Sequence, residues 1–328
     1  MAEPDAGQLA ALARHQLGAR SYSPTALQNY AACPYRFFLQ AIVRLEPREE
    51  IIPLEVIDPL TRGALFHEVQ FETLSALRGI GLLPVTSANL ERAYPFMEES
   101  LRRVAERMRE ELAPAIEHVW LDGIESIRAD LREWMRRMTM AQDYCPERFE
   151  LAFGLTDREQ ADPASIEAPV PLAAGISLRG SIDLIERGPD SQLRITDHKT
   201  GRVRAERNLV IGGGKTLQPL LYALAAEQIL KETISAGRLY YCTAAGGYEE
   251  RIAVLDDSAR GTIEEFARIL GAALGQGFLP AAPGERECEF CDYRRICGPY
   301  EAGRVQRKLE TSGTKARTTE LERLRGMR

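Results

Sequence analysis

Three cysteines crowd into ten residues late in this 328-residue chain, as Cys288-Glu289-Phe290-Cys291, five further residues, and Cys297. No other feature restricts the fold as strongly, because thiols so close together in a reducing compartment point to a metal or an iron–sulfur cluster. The remaining cysteines are Cys33, Cys145 and Cys242. Residues 1–10 carry Glu3 and Asp5 and no basic residue ahead of an apolar stretch. A secretory signal is therefore not expected, a cytoplasmic location is, and a disulfide framework is not. Cys33, within Ala32-Cys33-Pro34-Tyr35-Arg36-Phe37, is the candidate fourth ligand. Spacing alone admits either a four-cysteine zinc site or a cluster. Cys145 and Cys242 fall outside the pattern and are expected as buried thiols acting as small hydrophobes.

No apolar run approaches the roughly 20 residues that cross a bilayer, so no membrane partner is expected. The chain holds 42 Lys+Arg against 48 Asp+Glu, a net charge of −6. That balance excludes a wholly basic nucleic-acid coat but leaves room for a locally basic groove.

The hydrophobic period divides the chain. Residues 1–20 carry no strong pattern and are expected as a flexible arm. Ser23-Pro24-Thr25 reads as a helix start, an N-cap hydroxyl followed by proline at the first helical position. Residues 46–59 read as a loop and Arg62 to Leu77 as a helix. Ser87 to Met140 is strongly helical: Ile124, Ile127, Leu131, Trp134 and Met138 form one stripe, and Pro114 divides the stretch in two. This makes a helical insertion over about 87–143. After Pro146 the period shortens. Phe149–Leu155, Ile176–Ile185 and Leu193–Asp197 read as strands, with Gly188-Pro189-Asp190-Ser191 as the turn between the last two. Helices over Thr216–Leu230 and Ser258–Leu274 flank further strands at Arg238–Thr243 and Arg251–Leu255. Residues 301–328 hold eight Lys/Arg and four Glu and read as a basic tail.

The densest chemical signal is Gly180-Ser181-Ile182-Asp183, a turn, then Asp197-His198-Lys199-Thr200-Gly201. Two strands joined by a tight turn bring Asp183 and Asp197 together. Asp197 and Lys199, two apart on a strand, share a face. A carboxylate pair binds a hard divalent cation through oxygen. A lysine beside it orients or deprotonates a water and stabilises a pentavalent phosphate. Gln218 and Tyr222 are four apart and so lie on one helical face. Gly212-Gly213-Gly214-Lys215-Thr216 lacks the first glycine of a P-loop, since Leu209 stands there, and is expected instead as a mobile loop near the substrate.

These motifs resemble the PD-(D/E)XK nuclease superfamily in its RecB-like branch, which includes AddB. The resemblance extends over about residues 21–300. Gly63-Ala64-Leu65-Phe66-His67 is similar to the family's G-x-x-x-H helix, Gly180 to Asp183 to its G-x-x-D strand, Asp197 to Gly201 to its D-x-K-T-G strand, and Gln218 to Tyr222 to its Q-x-x-x-Y helix. The resemblance implies an α/β fold: a restriction-endonuclease-like core of a central mixed sheet flanked by helices, with the helical insertion. It implies Mg²⁺ or Mn²⁺ held by His67, Asp183, Asp197 and the backbone carbonyl of His198, whose side chain points away. Lys199, Gln218 and Tyr222 complete the catalytic set. Tyr222 is suited to stacking on a base or sugar, and Glu150, opening the first strand, is a supporting acid. The resemblance also implies a 4Fe–4S cluster on Cys33, Cys288, Cys291 and Cys297, a staple joining the nuclease domain's N-terminal segment to residues 288–297. The implied function is a metal-dependent DNA nuclease of repair or recombination, acting on ends or single strands with a helicase partner. Two alternatives are a CRISPR-adaptation-type iron–sulfur exonuclease and a DNA-end-binding scaffold that no longer cuts. Arg304, Arg307, Lys308, Lys315 and Arg317 are expected to meet phosphates if the tail binds DNA.

Overall fold

The computed structural model describes residues 5–46, 56–141, 143–156, 158, 160–207, 209–289, 291–298, 300–310 and 312–328. Most of the loop expected over 46–59 lies outside these residues. Asp5 caps α1 (Ala6–Ala13) through a reciprocal bond with Gln8. A short strand β1 (Ser21–Tyr22) precedes α2 (Pro24–Ala32), capped by Ser23 with proline at its first position. Cys33 breaks that helix, and α3 (Pro34–Phe37) runs on into a π turn. Three long helices follow: α4 (Pro59–Gly79), α5 (Leu90–Leu112) and α6 (Glu117–Met138). Pro114 separates the last two, where Ala113 takes a left-handed conformation.

The strands are β2 (Cys145–Phe153), β3 (Val170–Pro171), β4 (Ser177–Leu178), β5 (Gly180–Arg187) and β6 (Leu193–Lys199). Then come α7 (Gln218–Leu230), β7 (Ile234–Tyr241), β8 (Glu250–Val254) and α8 (Asp257–Gly275). The last elements are α9 (Arg294–Cys297), α10 (Glu301–Leu309) and α11 (Ser312–Arg325). The main sheet has the order β2-β5-β6-β7-β8; β6 and β7 are parallel and the other pairs antiparallel. A parallel pair needs a crossover, and α7 supplies it. This is the mixed sheet flanked by helices expected from the sequence. No described helix is long and apolar enough to cross a membrane.

Two hydrophobic cores lie against the sheet. One packs α2, α7 and α8 on Leu151, Ile182, Ile185, Leu193 and Ile195. The other packs α4, α5 and α6 on Phe149, Leu184 and Tyr240. Residues two apart on a regular strand share a face. Yet Phe149 and Leu151 enter different cores, and so do Ile182 and Leu184. Between them stand Glu150, with φ +51°, and Asp183. Both paired strands therefore exchange faces at these two acids.

Residues 6–20, expected as part of a flexible arm, form α1 and a turn that buries Leu17. The stretch expected as a basic tail instead carries two helices, Glu301–Leu309 and Ser312–Arg325, the second of them docked. Leu321 and Leu324 are buried, and Arg325 donates to the carbonyls of Ala31, Ala32 and Ala282. The glycine loop, expected to be mobile, is packed against the C-terminal residues. Its Gly213 N–H donates to the Met327 carbonyl at 2.7 Å, and a Cβ at Gly213 (φ +64°) would come 2.7 Å from the Arg325 oxygen. Lys215 is paired with Glu287 at 2.5 Å.

Candidate active site

The exchange of faces on β2 and β5 turns Asp183 out of both cores toward β6. There its Oδ2 accepts the His198 backbone N–H at 2.7 Å. Along β6 the side chains alternate. Asp197 and Lys199 face α7, while His198 faces the helical lobe and packs edge-on to Trp134. Lys199 Nζ lies 2.6 Å from Asp197 Oδ2 and donates to Gln218 Oε1 at 2.8 Å. Gln218 Nε2 donates to Asp197 Oδ1 at 3.2 Å, so the first residue of α7 holds both members of the pair.

His67 comes from α4. Asp58 caps that helix through the Leu60 and Thr61 N–H groups. Arg62, on the same helix, meets Asp130 of α6 at 2.6 Å. The other Asp130 oxygen accepts from the Ala244 N–H and the Tyr248 hydroxyl. One buried carboxylate thus fixes α4 and α6 to the loop after β7. The result brings His67 Nδ1 to 3.3 Å from Asp183 Oδ2.

Burial and the facing charges of Asp197 and Glu150 push Asp183 well above the usual carboxylate range. Burial lowers His67, leaving the neutral imidazole that a metal requires. Burial works to lower Lys199 as well, but Asp197 and Asp183 outweigh it, and the pKa is raised. The two carboxylates thus favour the charged form of Lys199. Asp183 and Asp197 face the Lys199 ammonium, and His67 lies beside Asp183, oxygen and nitrogen donors of the kind that fit a hard divalent cation with some affinity for nitrogen.

Three sequence expectations need correction. The His198 ring does not point away: its Nδ1 is 3.8 Å from Asp183 Oδ2, and it forms with His67 and Asp183 a group of potential metal donors. Face alternation on β6 holds, but Asp183 has itself moved toward that face. Tyr222 is not free to stack on a base. It is buried, edge-on to Phe153, and a Cβ at position 180 would come 2.8 Å from its ring and hydroxyl, so only glycine fits there. Glu150 sits within β2 rather than opening a strand, accepting from Ser181 Oγ at 2.7 Å. Its pairing opposite the G-x-x-D strand was the available signal.

Cys33, Cys288, Cys291 and Cys297 are free thiols that line one small cavity, with Tyr35 and Tyr293 beside them. Burial raises Cys33, while the backbone N–H groups of Arg36, Tyr35 and Ala282 point at its sulfur and oppose that shift. Cys288 and Cys297 are raised by burial and by facing Cys33 and Cys291. The four sulfurs share the lining of that cavity, with N–H donors directed at Cys33. Cys242 is buried as expected, whereas Cys145 is only half-buried.

Comparison with known proteins follows the same lines. A model of the PD-(D/E)XK nuclease superfamily matches residues 21–298. The chain is 25% identical over 232 residues to a subunit of an ATP-dependent helicase/deoxyribonuclease from Carboxydothermus hydrogenoformans, covering 69% of this chain and 20% of that protein. It is 28% identical over 234 residues to the protein of the same name from Symbiobacterium thermophilum, covering 66% and 19%. The chain spans about a fifth of the length of these curated relatives.

Proposed function

Because the chain belongs to the PD-(D/E)XK nuclease superfamily, we propose that it is a divalent-metal-dependent deoxyribonuclease of DNA repair or recombination, cutting at DNA ends or in single strands. One observation carries this reading: His67, Asp183, Asp197 and Lys199 converge where β2 and β5 exchange faces. His67, Asp183, Asp197 and the His198 backbone carbonyl would hold Mg²⁺ or Mn²⁺. Such a cation, when bound, supplies Lewis-acid stabilisation of phosphate charge. Lys199, fixed by Asp197 and Gln218, aims its ammonium at the phosphate and orients the attacking water. Tyr222 supports Gly180 and β5 from beneath. The names of the relatives support a helicase partner, and the length of chain shared with them supports a nuclease unit spanning about residues 21–300. The four cysteines would bind a 4Fe–4S cluster.

The test is cleavage of end-labelled single- and double-stranded DNA by the full chain with Mg²⁺ or Mn²⁺. Asp183→Ala, Asp197→Ala and Lys199→Ala should each lower turnover by at least about 10²-fold, with DNA affinity changed only a few-fold. Near wild-type cleavage by Asp197→Ala rejects the assignment.

A further inference from the structure

The N-terminus of α7 carries the catalytic hydrogen bonds, yet its own cap residue, Leu217, offers no side-chain acceptor. The first N–H groups of a helix have no partner within it and must find one elsewhere. Here the partner comes from far away in sequence. Gln28, half-buried on α2, accepts with its Oε1 from the Leu217 N–H at 2.9 Å and the Gln218 N–H at 3.3 Å. The helix that carries Gln28 ends at Cys33. On the other side, Gln218 accepts from Lys199 Nζ and donates to Asp197.

We propose that Gln28 is a positioning residue for catalysis: its amide oxygen seats the first turn of α7 so that Gln218 aligns Lys199 with Asp197, linking the cysteine-bearing helix to the reacting centre. The inference rests on the catalytic reading of Lys199 given above. An amide oxygen has two lone pairs and can take both N–H groups. A methionine of similar shape can take neither and leaves both unpaired. A glutamate keeps the acceptors and adds a charge that the helix N-terminus favours.

The experiment uses the full chain and single-stranded, end-labelled DNA with Mg²⁺ or Mn²⁺. Gln28→Met should lower kcat about tenfold, roughly the effect of a lost 1.4 kcal/mol of transition-state alignment, with KM unchanged within about twofold. Gln28→Glu should restore most of that loss. In a Gln218→Ala background, Gln28→Met should add little, because a residue that acts through Gln218 has nothing left to align. A merely structural role predicts the opposite pattern: additive losses, no rescue by glutamate, and a fall in activity that follows the melting temperature. Any one of these, or a wild-type kcat in Gln28→Met, overturns the proposal. Lys199→Ala is run alongside. If it cuts normally, the catalytic reading itself has failed; if it is dead while Gln28→Met is normal, only the role of Gln28 has.

Discussion

Glu186 is 5% exposed and lies between two guanidinium groups. Its Oε2 accepts from Arg194 at 3.0 Å, Arg238 at 2.8 Å and the Thr196 hydroxyl at 2.7 Å. Burial raises its pKa, but Arg238, Arg194 and Thr196 outweigh burial and hold it below the usual range. A carboxyl with a lowered folded pKa contributes stability that is present above the ordinary glutamate value of about 4.3 and lost as pH falls through the folded value. In that window the unfolded chain binds more protons than the folded one. Glu186→Gln leaves two buried cations short of a partner and should lose about 3–5 kcal/mol at pH 7. It should also flatten the fall in stability below pH ~4.3. Urea titrations at pH 7 and at pH ~3.5 measure both effects. An acid slope equal to that of the unaltered protein would show that Glu186 does not titrate as argued.

The elements divide into those whose cause is local and those whose cause is not. Ser23 and Pro24 announce α2, Pro114 parts α5 from α6, and the Gly188–Ser191 turn joins β5 to β6, as the sequence leads one to expect. Asp197 and Lys199 are legible for the same reason, since alternation on one strand is a local rule. The exchange of faces at Glu150 and Asp183 is not, because it depends on pairing with a neighbour and on a backbone conformation that glutamate rarely adopts. That is why local pattern alone misplaces the His198 ring and Glu150. The α11 helix escapes a sequence reading because few of its residues are apolar, and it is held by two leucines, Leu321 and Leu324, together with the polar contacts of Arg325. Arg325→Met removes the donor to three carbonyls and should cost about 1–3 kcal/mol. Leu324→Ala should cost about 2–5 kcal/mol. Thermal melts of the two variants check this, and an unchanged melting temperature in both would mean α11 is not docked.

At the scale of the molecule, Cys33 meets three cysteines about 255 positions later. A link across a loop that long would restrict the unfolded chain by about 5 kcal/mol. Purely protein contacts already close the same ring. Gly284 N–H donates to the Ala32 carbonyl at 2.8 Å, Tyr35 N–H to Pro280 at 3.1 Å, and the Tyr293 hydroxyl to Leu45 at 2.7 Å. If the four cysteines hold the proposed cluster, protein purified without oxygen should carry iron and sulfide in about equal amounts. Cys33→Ser should lose them as completely as Cys291→Ser, while Cys145→Ser and Cys242→Ser keep them. Because the ring is already closed, loss of the cluster should lower stability by less than the full ~5 kcal/mol. Stoichiometric zinc without sulfide would refute the cluster assignment.

The exchange of faces also limits how this architecture can be cut and recombined. On each of two neighbouring strands the alternation of inward-facing side chains shifts phase at an acid, so that residues two apart across it enter different cores. The helical lobe is thus no detachable module. A chimera that grafts residues 59–138 onto another sheet would have to bring Phe149, Glu150, Asp183 and Leu184 with it. Without them, the transplanted helices would lose Phe149 and Leu184, the sheet residues on which their own interior packs.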